Sequence, residues 1–267
     1  MADPWLLTID AAGADAARLR ALAQQGLDRA KVVRIVGAAP DRDPLAFWRS
    51  IGEAIGDCAD LIEDSRRGEL IAVDGQWMDV RYEPDRADTY RHHNVGQPLH
   101  TDGAYVGATQ AREIALFYLA RQAEAGGDSL FVDAETVRAC AAARAPELLE
   151  RLTTLPVRFG KGKGPCRIST VLYEQDGRSK INWNYFRVLT DQGDAVAALR
   201  KDFAAFLEEM VERGDVASFR LETGDAVFFR DEEVLHGRKA YAAKESGDRL
   251  LWKTYFTPRR ARTRNAA

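Results

Sequence analysis

Apolar and polar residues along the chain follow two periods, and the changes between them mark out its elements. Residues 11–26 carry apolar side chains at helical spacing, which predicts an amphipathic helix closed by Gly26. Residues 31–37 predict a short strand. A second helix is expected from Asp43 as cap, with Pro44 at its first position, to a stop at Gly56. This helix–strand–helix opening is expected to pack outside the sheet that follows, making residues 1–56 a helical extension.

Further on, residues 78–82 predict a strand, and the polar stretch 85–94 a loop. Residues 114–120 and 128–133 predict two buried strands, joined by a turn that contains Gly126 and Gly127. A helix is expected over 134–152, interrupted near Pro146. Strands follow at 155–159, 169–173 and 181–185, with a hairpin turn at 175–178. Val196, Leu199, Phe203, Phe206, Leu207, Met210 and Val211 recur at helical spacing, so residues 195–213 predict a helix ended by Gly214. The last strands are 217–221, 226–230 and 249–256, and the basic tail 259–264 predicts a solvated, frayed end. Many short strands with glycine turns and a few helical excursions predict a mainly β fold. Its expected form is a single domain, a double-stranded β-helix (jelly roll) over 90–256 with flanking helices.

Composition narrows the function. A net charge of −3 over 267 residues gives no electrostatic reason for a nucleic-acid or anionic-membrane partner. No apolar run approaches the roughly 20 residues of a membrane span, and no basic segment followed by an apolar one opens the chain, so a cytoplasmic protein is expected. Cys58, Cys140 and Cys166 are scattered, without Cys-x-x-Cys spacing, and predict small free thiols.

The stretch from Gln97 to Tyr105 carries the chemistry. In extended backbone, residues two apart face the same side, so His100 and Asp102 present an imidazole and a carboxylate to one point. His236, just after an apolar strand and before Gly237, supplies a second imidazole. Two histidines and one carboxylate leave about three positions of an octahedral ion open, as in non-haem Fe(II) sites that admit a co-substrate and O2. A structural zinc site is closed. By alternation Arg249, Leu251, Lys253 and Tyr255 share one face of the last strand. A guanidinium on such a face is costly without an anion, which the carboxylate of a 2-oxo acid or a structural ion pair would supply.

The blocks His100-Thr-Asp-Gly, Gly126-Gly-Asp-Ser-Leu-Phe, Val234-Leu-His-Gly-Arg and Arg249-Leu-Leu-Trp-Lys resemble the signature blocks of Fe(II)/2-oxoglutarate-dependent dioxygenases. The branch is the taurine dioxygenase and clavaminate synthase-like one, nearest the glutarate-hydroxylase group. The resemblance implies His100, Asp102 and His236 as iron ligands, and a Ser129 hydroxyl that meets the 2-oxoglutarate carboxylate. It implies Arg249 as the carboxylate clamp. Lys253 stands where a second arginine is frequent, and lysine lacks the fork. A carboxylate at Asp102 argues against the halogenating relatives. The implied reaction consumes O2, converts 2-oxoglutarate to succinate and CO2, and hydroxylates an unactivated C–H; desaturation and ring closure are its variants.

For the substrate, Arg91, Arg112 and Arg238 point to a small polar carboxylate or amino acid. Tyr105, Arg91, Asn184 and Arg238 are candidate contacts, with Asn182, Trp183 and Arg187 nearby; His92 and His93 read as loop or substrate-side residues. Two other readings stay open: a cupin-like hydrolase or isomerase using the same triad on zinc or manganese, and a catalytically silent binding protein. The sequence does not say whether the substrate is free or carried on another protein, or whether the chain forms a homo-oligomer.

Overall fold

The strand Ile114–Arg121 sends Phe117 to one side and Leu116 and Tyr118 to the other; repeated on its neighbours, this alternation separates two apolar cores. A computed structural model describes residues 5–40, 43–59, 77–86, 91–106, 113–161 and 166–259. The opening elements are β1 (Leu6–Asp10), α1 (Ala16–Arg29), β2 (Val32–Val36), α2 (Pro44–Gly52), β3 (Gly56–Cys58), β4 (Met78–Arg81) and β5 (Gln97–His100). There follow β6 (Ile114–Arg121), β7 (Ser129–Asp133), α3 (Ala134–Arg144), α4 (Pro146–Thr154), β8 (Val157–Gly160), β9 (Cys166–Ser169), β10 (Leu172–Gln175) and β11 (Arg178–Ile181). The chain closes with α5 (Asp194–Arg213), β12 (Ala217–Phe219), β13 (Ala226–Arg230), β14 (Val234–Arg238) and β15 (Leu250–Pro258).

A seven-stranded sheet runs β1-β2-β13-β6-β15-β3, with β4 also on β15, and a four-stranded sheet runs β12-β7-β14-β5. Phe117, Phe229, Leu251 and Tyr255 of the larger sheet meet Phe131 and Val234 of the smaller in a shared core, the face-to-face arrangement of a jelly roll. The outer face of the larger sheet, with Ile35, Leu116, Phe228 and Phe256, is covered by Leu19 of α1 and Trp48 and Ile51 of α2. The outer side of the smaller sheet packs on α3, α4 and α5.

Several expectations are corrected here. The opening segment is more than a helical extension, because β1 and β2 pair in parallel and join the larger sheet. β2 has two apolar faces, with Val32 in the inter-sheet core and Val33 and Ile35 under the helices. Gly26 does not end α1, which runs to Arg29 and caps at Ala30. A Cβ at Gly26 would lie 2.9 Å from Val33 Cγ1, so this glycine sets how closely α1 approaches the sheet. Helix α2 stops at Gly52, and Gly56 opens β3 against β15.

The strand expected at 169–173 is instead the break between β9 and β10, where the Thr170 hydroxyl donates to the Leu172 carbonyl at 3.0 Å. The strand expected at 181–185 ends at Ile181, because Asn184 forms a local turn, its Oδ1 accepting from the Phe186 N–H at 3.1 Å. The turn at 175–178 is as expected: Asp176 and Gly177 take φ of 52° and 70°, the left-handed pair of a tight hairpin between β10 and β11. The tail beyond Arg259 lies outside the described residues.

Gly52 offers a direct test of how α2 is seated. A Cβ there would overlap the Phe256 ring in the core beneath the helix. Gly52→Ala is expected to cost about 1–3 kcal/mol through overpacking, and thermal unfolding should show a midpoint lower by several degrees. An unchanged midpoint would mean that α2 rides further from the sheet.

Candidate active site

His100 ends β5, the outer strand of the smaller sheet, and pairs in register with His236 on β14. The two rings lie 4.3 Å apart between centroids. The Nδ1–H of His100 donates to the Pro98 carbonyl at 2.8 Å, so Nε2 carries the lone pair; it accepts from the Gln97 amide at 3.3 Å and is the nitrogen a metal would take. His236 is buried among Phe117, Phe229 and Phe131. Burial, followed by the nearby charge of His100, pushes its pKa well below the usual imidazole value, so it is held in the neutral form that ligates metals.

Asp102 lies past the end of β5, in a turn. Thr101 faces away, its hydroxyl donating to the Trp183 carbonyl at 3.1 Å. The Asp102 oxygens stand 3.6 Å from His100 Nε2 and 3.6 Å from His236 Nε2. Ligand atoms of the three residues all fall within 4.8 Å of one another, a set of two imidazoles and one carboxylate that fits Fe(II). Burial pushes the Asp102 carboxyl up, but Lys253 and then His236 and His100 outweigh it and hold it well below the ordinary range.

The turn is tied down by Asp231, a residue sequence reasoning passed over. Its Oδ1 accepts from the Asp102 N–H at 3.0 Å and its Oδ2 from the Gly103 N–H at 2.9 Å. Burial, then repulsion by Asp102, pushes the Asp231 carboxyl up to about 7. Within Asp231-Glu-Glu this residue reads as a solvated turn, and no periodicity marks it.

Ser129, Arg238 and Arg249 line the same cavity of about 450 Å³ as the triad. Arg249 is 2% exposed, and its Nε has no hydrogen-bond partner among the described residues. Burial and then the charge of Arg238 lower its pKa to about 9, so it is still a cation at neutral pH. Arg238 is also buried; its Nη2 donates to the carbonyls of His93 and Val95 at 2.9 and 2.6 Å, while Nε and Nη1 have no partner among the described residues. Both guanidiniums lie over the Tyr241 ring, at 4.5 and 5.5 Å. A buried pair of cations whose N–H groups are unpartnered among the described residues suits an anion, and the carboxylate of 2-oxoglutarate fits it.

The Gly126-Gly127 turn belongs to this end of the cavity. Both glycines have positive φ, and a Cβ at Gly127 would lie 3.3 Å from Arg249 Nε. Tyr241 carried no signal in the sequence.

Lys253 lines the cavity with Arg249, but its ammonium donates to Asp102 Oδ1 at 2.9 Å. Its contact is therefore the carboxylate of the candidate metal site. Tyr105, Arg91 and Asn184 all line the cavity. Lys161 and Arg187, the first of them missed from sequence, approach the Tyr105 ring at 5.9 and 5.4 Å. Arg91 stands 3.7 Å from Asp79. Asn182 and Trp183 are packing residues: the Asn182 amide donates to Ala104 O, and Trp183 meets Phe203 edge-on at 4.8 Å. His92 and His93 bond locally, to the Arg81 carbonyl and the Val95 N–H, and do not join the triad. Arg112 lies outside the described residues.

Comparisons with known proteins bear on the fold and the family. No curated protein is a significant match. Among solved structures, an asparagine oxygenase in complex with Fe(II), 2S,3S-3-hydroxyasparagine and succinate is 14% identical. The match covers 91% of this chain and 79% of that one, with a TM-score of 0.69. PvcB from Pseudomonas aeruginosa is 15% identical over 95% of this chain and 86% of that one, with a TM-score of 0.64. The non-heme iron oxygenase OrfP, in complex with Fe and alpha-ketoglutaric acid, is 15% identical over 91% and 81%, with a TM-score of 0.62. A profile of the family described as taurine catabolism dioxygenase TauD, TfdA matches residues 6–255, so the chain belongs to this family of Fe(II)- and 2-oxoglutarate-dependent dioxygenases.

Proposed function

We propose that this dioxygenase hydroxylates an unactivated C–H bond of a small polar carboxylate or amino acid, with release of succinate and CO2. One observation carries the substrate class. Among the described residues lining the cavity, Asp102 is the only carboxylate, against Arg91, Lys161, Arg187, Arg238, Arg249 and Lys253. Arg249, Arg238 and the Ser129 hydroxyl answer to the carboxylate of the co-substrate. Arg187 and Lys161 beside Tyr105, with Arg91 and Asn184, line the same cavity and would meet an anionic group of the substrate.

Bound at His100, Asp102 and His236, iron supplies the O2 chemistry. The protein's part is to bind and orient. Strand pairing of β5 with β14 brings the two imidazoles together. The Pro98 carbonyl selects the His100 tautomer, and the Phe117, Phe229 and Phe131 rings keep water from the His236 side. The reading takes residues 1–267 as one oxygenase domain, in the cytoplasm, acting on a free substrate. The free thiols Cys58, Cys140 and Cys166 support a reducing compartment. No helix among the described residues is long and apolar enough to cross a membrane.

The test is succinate formation and O2 uptake by the iron-loaded protein, screened against small carboxylates and amino acids. At least one acid is expected to stimulate 2-oxoglutarate turnover, and its neutral amide to fail. Turnover of an acid without O2, by protein carrying zinc or manganese, would favour the hydrolase or isomerase reading. Stimulation only by conjugates on a carrier protein would overturn the free substrate.

A further inference from the structure

Of the three candidate metal ligands, the carboxylate alone lies outside a strand. His100 and His236 sit on paired strands, whereas Asp102 sits in a turn, its backbone held by Asp231. Its side chain is held from the opposite sheet. Strand β15 presents Lys253 and Tyr255 two residues apart on one face, and both reach Asp102. The ammonium donates to Oδ1 at 2.9 Å, and the phenolic hydroxyl to Oδ2 at 2.5 Å. Tyr255 is 1% exposed, with its ring in the inter-sheet core. A phenylalanine would fill that volume equally well, so packing does not explain the hydroxyl.

Each carboxylate oxygen has two lone-pair sites, so one donor on each leaves a lone pair on each for a metal. The two donors differ in charge. A neutral hydroxyl holds the carboxylate without opposing a divalent cation. An ammonium holds it too, but repels the cation and draws on the negative charge that attracts it.

We infer that Tyr255 is a positioning residue for the metal: its hydroxyl fixes the plane of Asp102 between the two imidazoles, while Lys253 serves as the countercharge of the metal-free carboxylate. The inference rests on the assignment of His100, Asp102 and His236 as metal ligands.

Co(II) tests both without turnover, because its visible ligand-field bands report the ligand set directly. Wild-type protein is expected to bind Co(II) with six- or five-coordinate bands. Tyr255→Phe is expected to bind about 10- to 100-fold more weakly, the usual cost of losing an outer partner of a metal ligand. Its bands at saturating Co(II) are expected to be shifted. Lys253→Met is expected to bind at least as tightly as wild type. Wild-type affinity and unshifted bands in Tyr255→Phe would overturn the positioning role, and equal losses in both variants would overturn the division between them. If wild-type protein gave no ligand-field bands, the ligand assignment itself would fall, and the inference with it.

Discussion

His236→Ala is expected to abolish 2-oxoglutarate turnover and metal binding at concentrations that saturate the wild type. A facial site has three protein donors, and removal of one leaves His100 and Asp102 in a cavity where Lys253 already competes for the carboxylate. The loss in Fe(II) affinity is expected to exceed the roughly 10- to 100-fold cost of losing an outer-shell partner. Folding should survive, because β14 keeps its pairing with β5 and β7 through the backbone, and the missing ring leaves a space lined by Phe117, Phe229 and Phe131. The measurement is anaerobic titration of metal-free protein with Fe(II) and then 2-oxoglutarate, watching the visible charge-transfer band of their chelate. Wild type should develop the band and His236→Ala should not. A band of full intensity in the variant, or unchanged O2 uptake, would remove His236 from the site.

That histidine illustrates what a sequence can reveal. His236 follows an apolar strand and His100 precedes Asp102 by two, and both features are local. Strand alternation likewise put Arg249, Leu251, Lys253 and Tyr255 on one face, and all four line the cavity despite a register shift between Leu250 and Leu251. What stayed hidden depends on long-range packing. Gly26 reads as a helix stop by local rules, but it is the point where α1 presses on Val33. β1 was not expected at all, because a short edge strand is decided by its partner, here β2. The extended geometry assumed for His100 and Asp102 holds only as far as His100; the turn after it is shaped by Asp231, far along the chain. The Asp102 contact of Lys253 and the stacking of both arginines on Tyr241 exist only once the sheets face each other.

Arg249→Met is expected to move two measurements in opposite directions. In the metal-free protein Arg249 is a buried cation beside Arg238, with no carboxylate beside it and an unpaired Nε among the described residues. Burying such a charge costs free energy that the fold must supply elsewhere. A methionine keeps most of the volume, and replacing buried charges by apolar residues of similar size is commonly neutral or stabilising by about 1–4 kcal/mol. Thermal unfolding of the metal-free variant should therefore show an equal or higher midpoint. Co-substrate binding should fall steeply, because truncating one partner of a buried, hydrogen-bonded charge pair costs about 2–5 kcal/mol. That is roughly 30-fold to several thousand-fold in affinity. In the same anaerobic titration Fe(II) should still bind, since the triad is untouched, but the charge-transfer band should be absent at 2-oxoglutarate concentrations that saturate the wild type. A midpoint several degrees lower would mean that Arg249 is a structural ion-pair partner. An undiminished band would place the co-substrate carboxylate elsewhere, with Arg238 the next cation able to hold it.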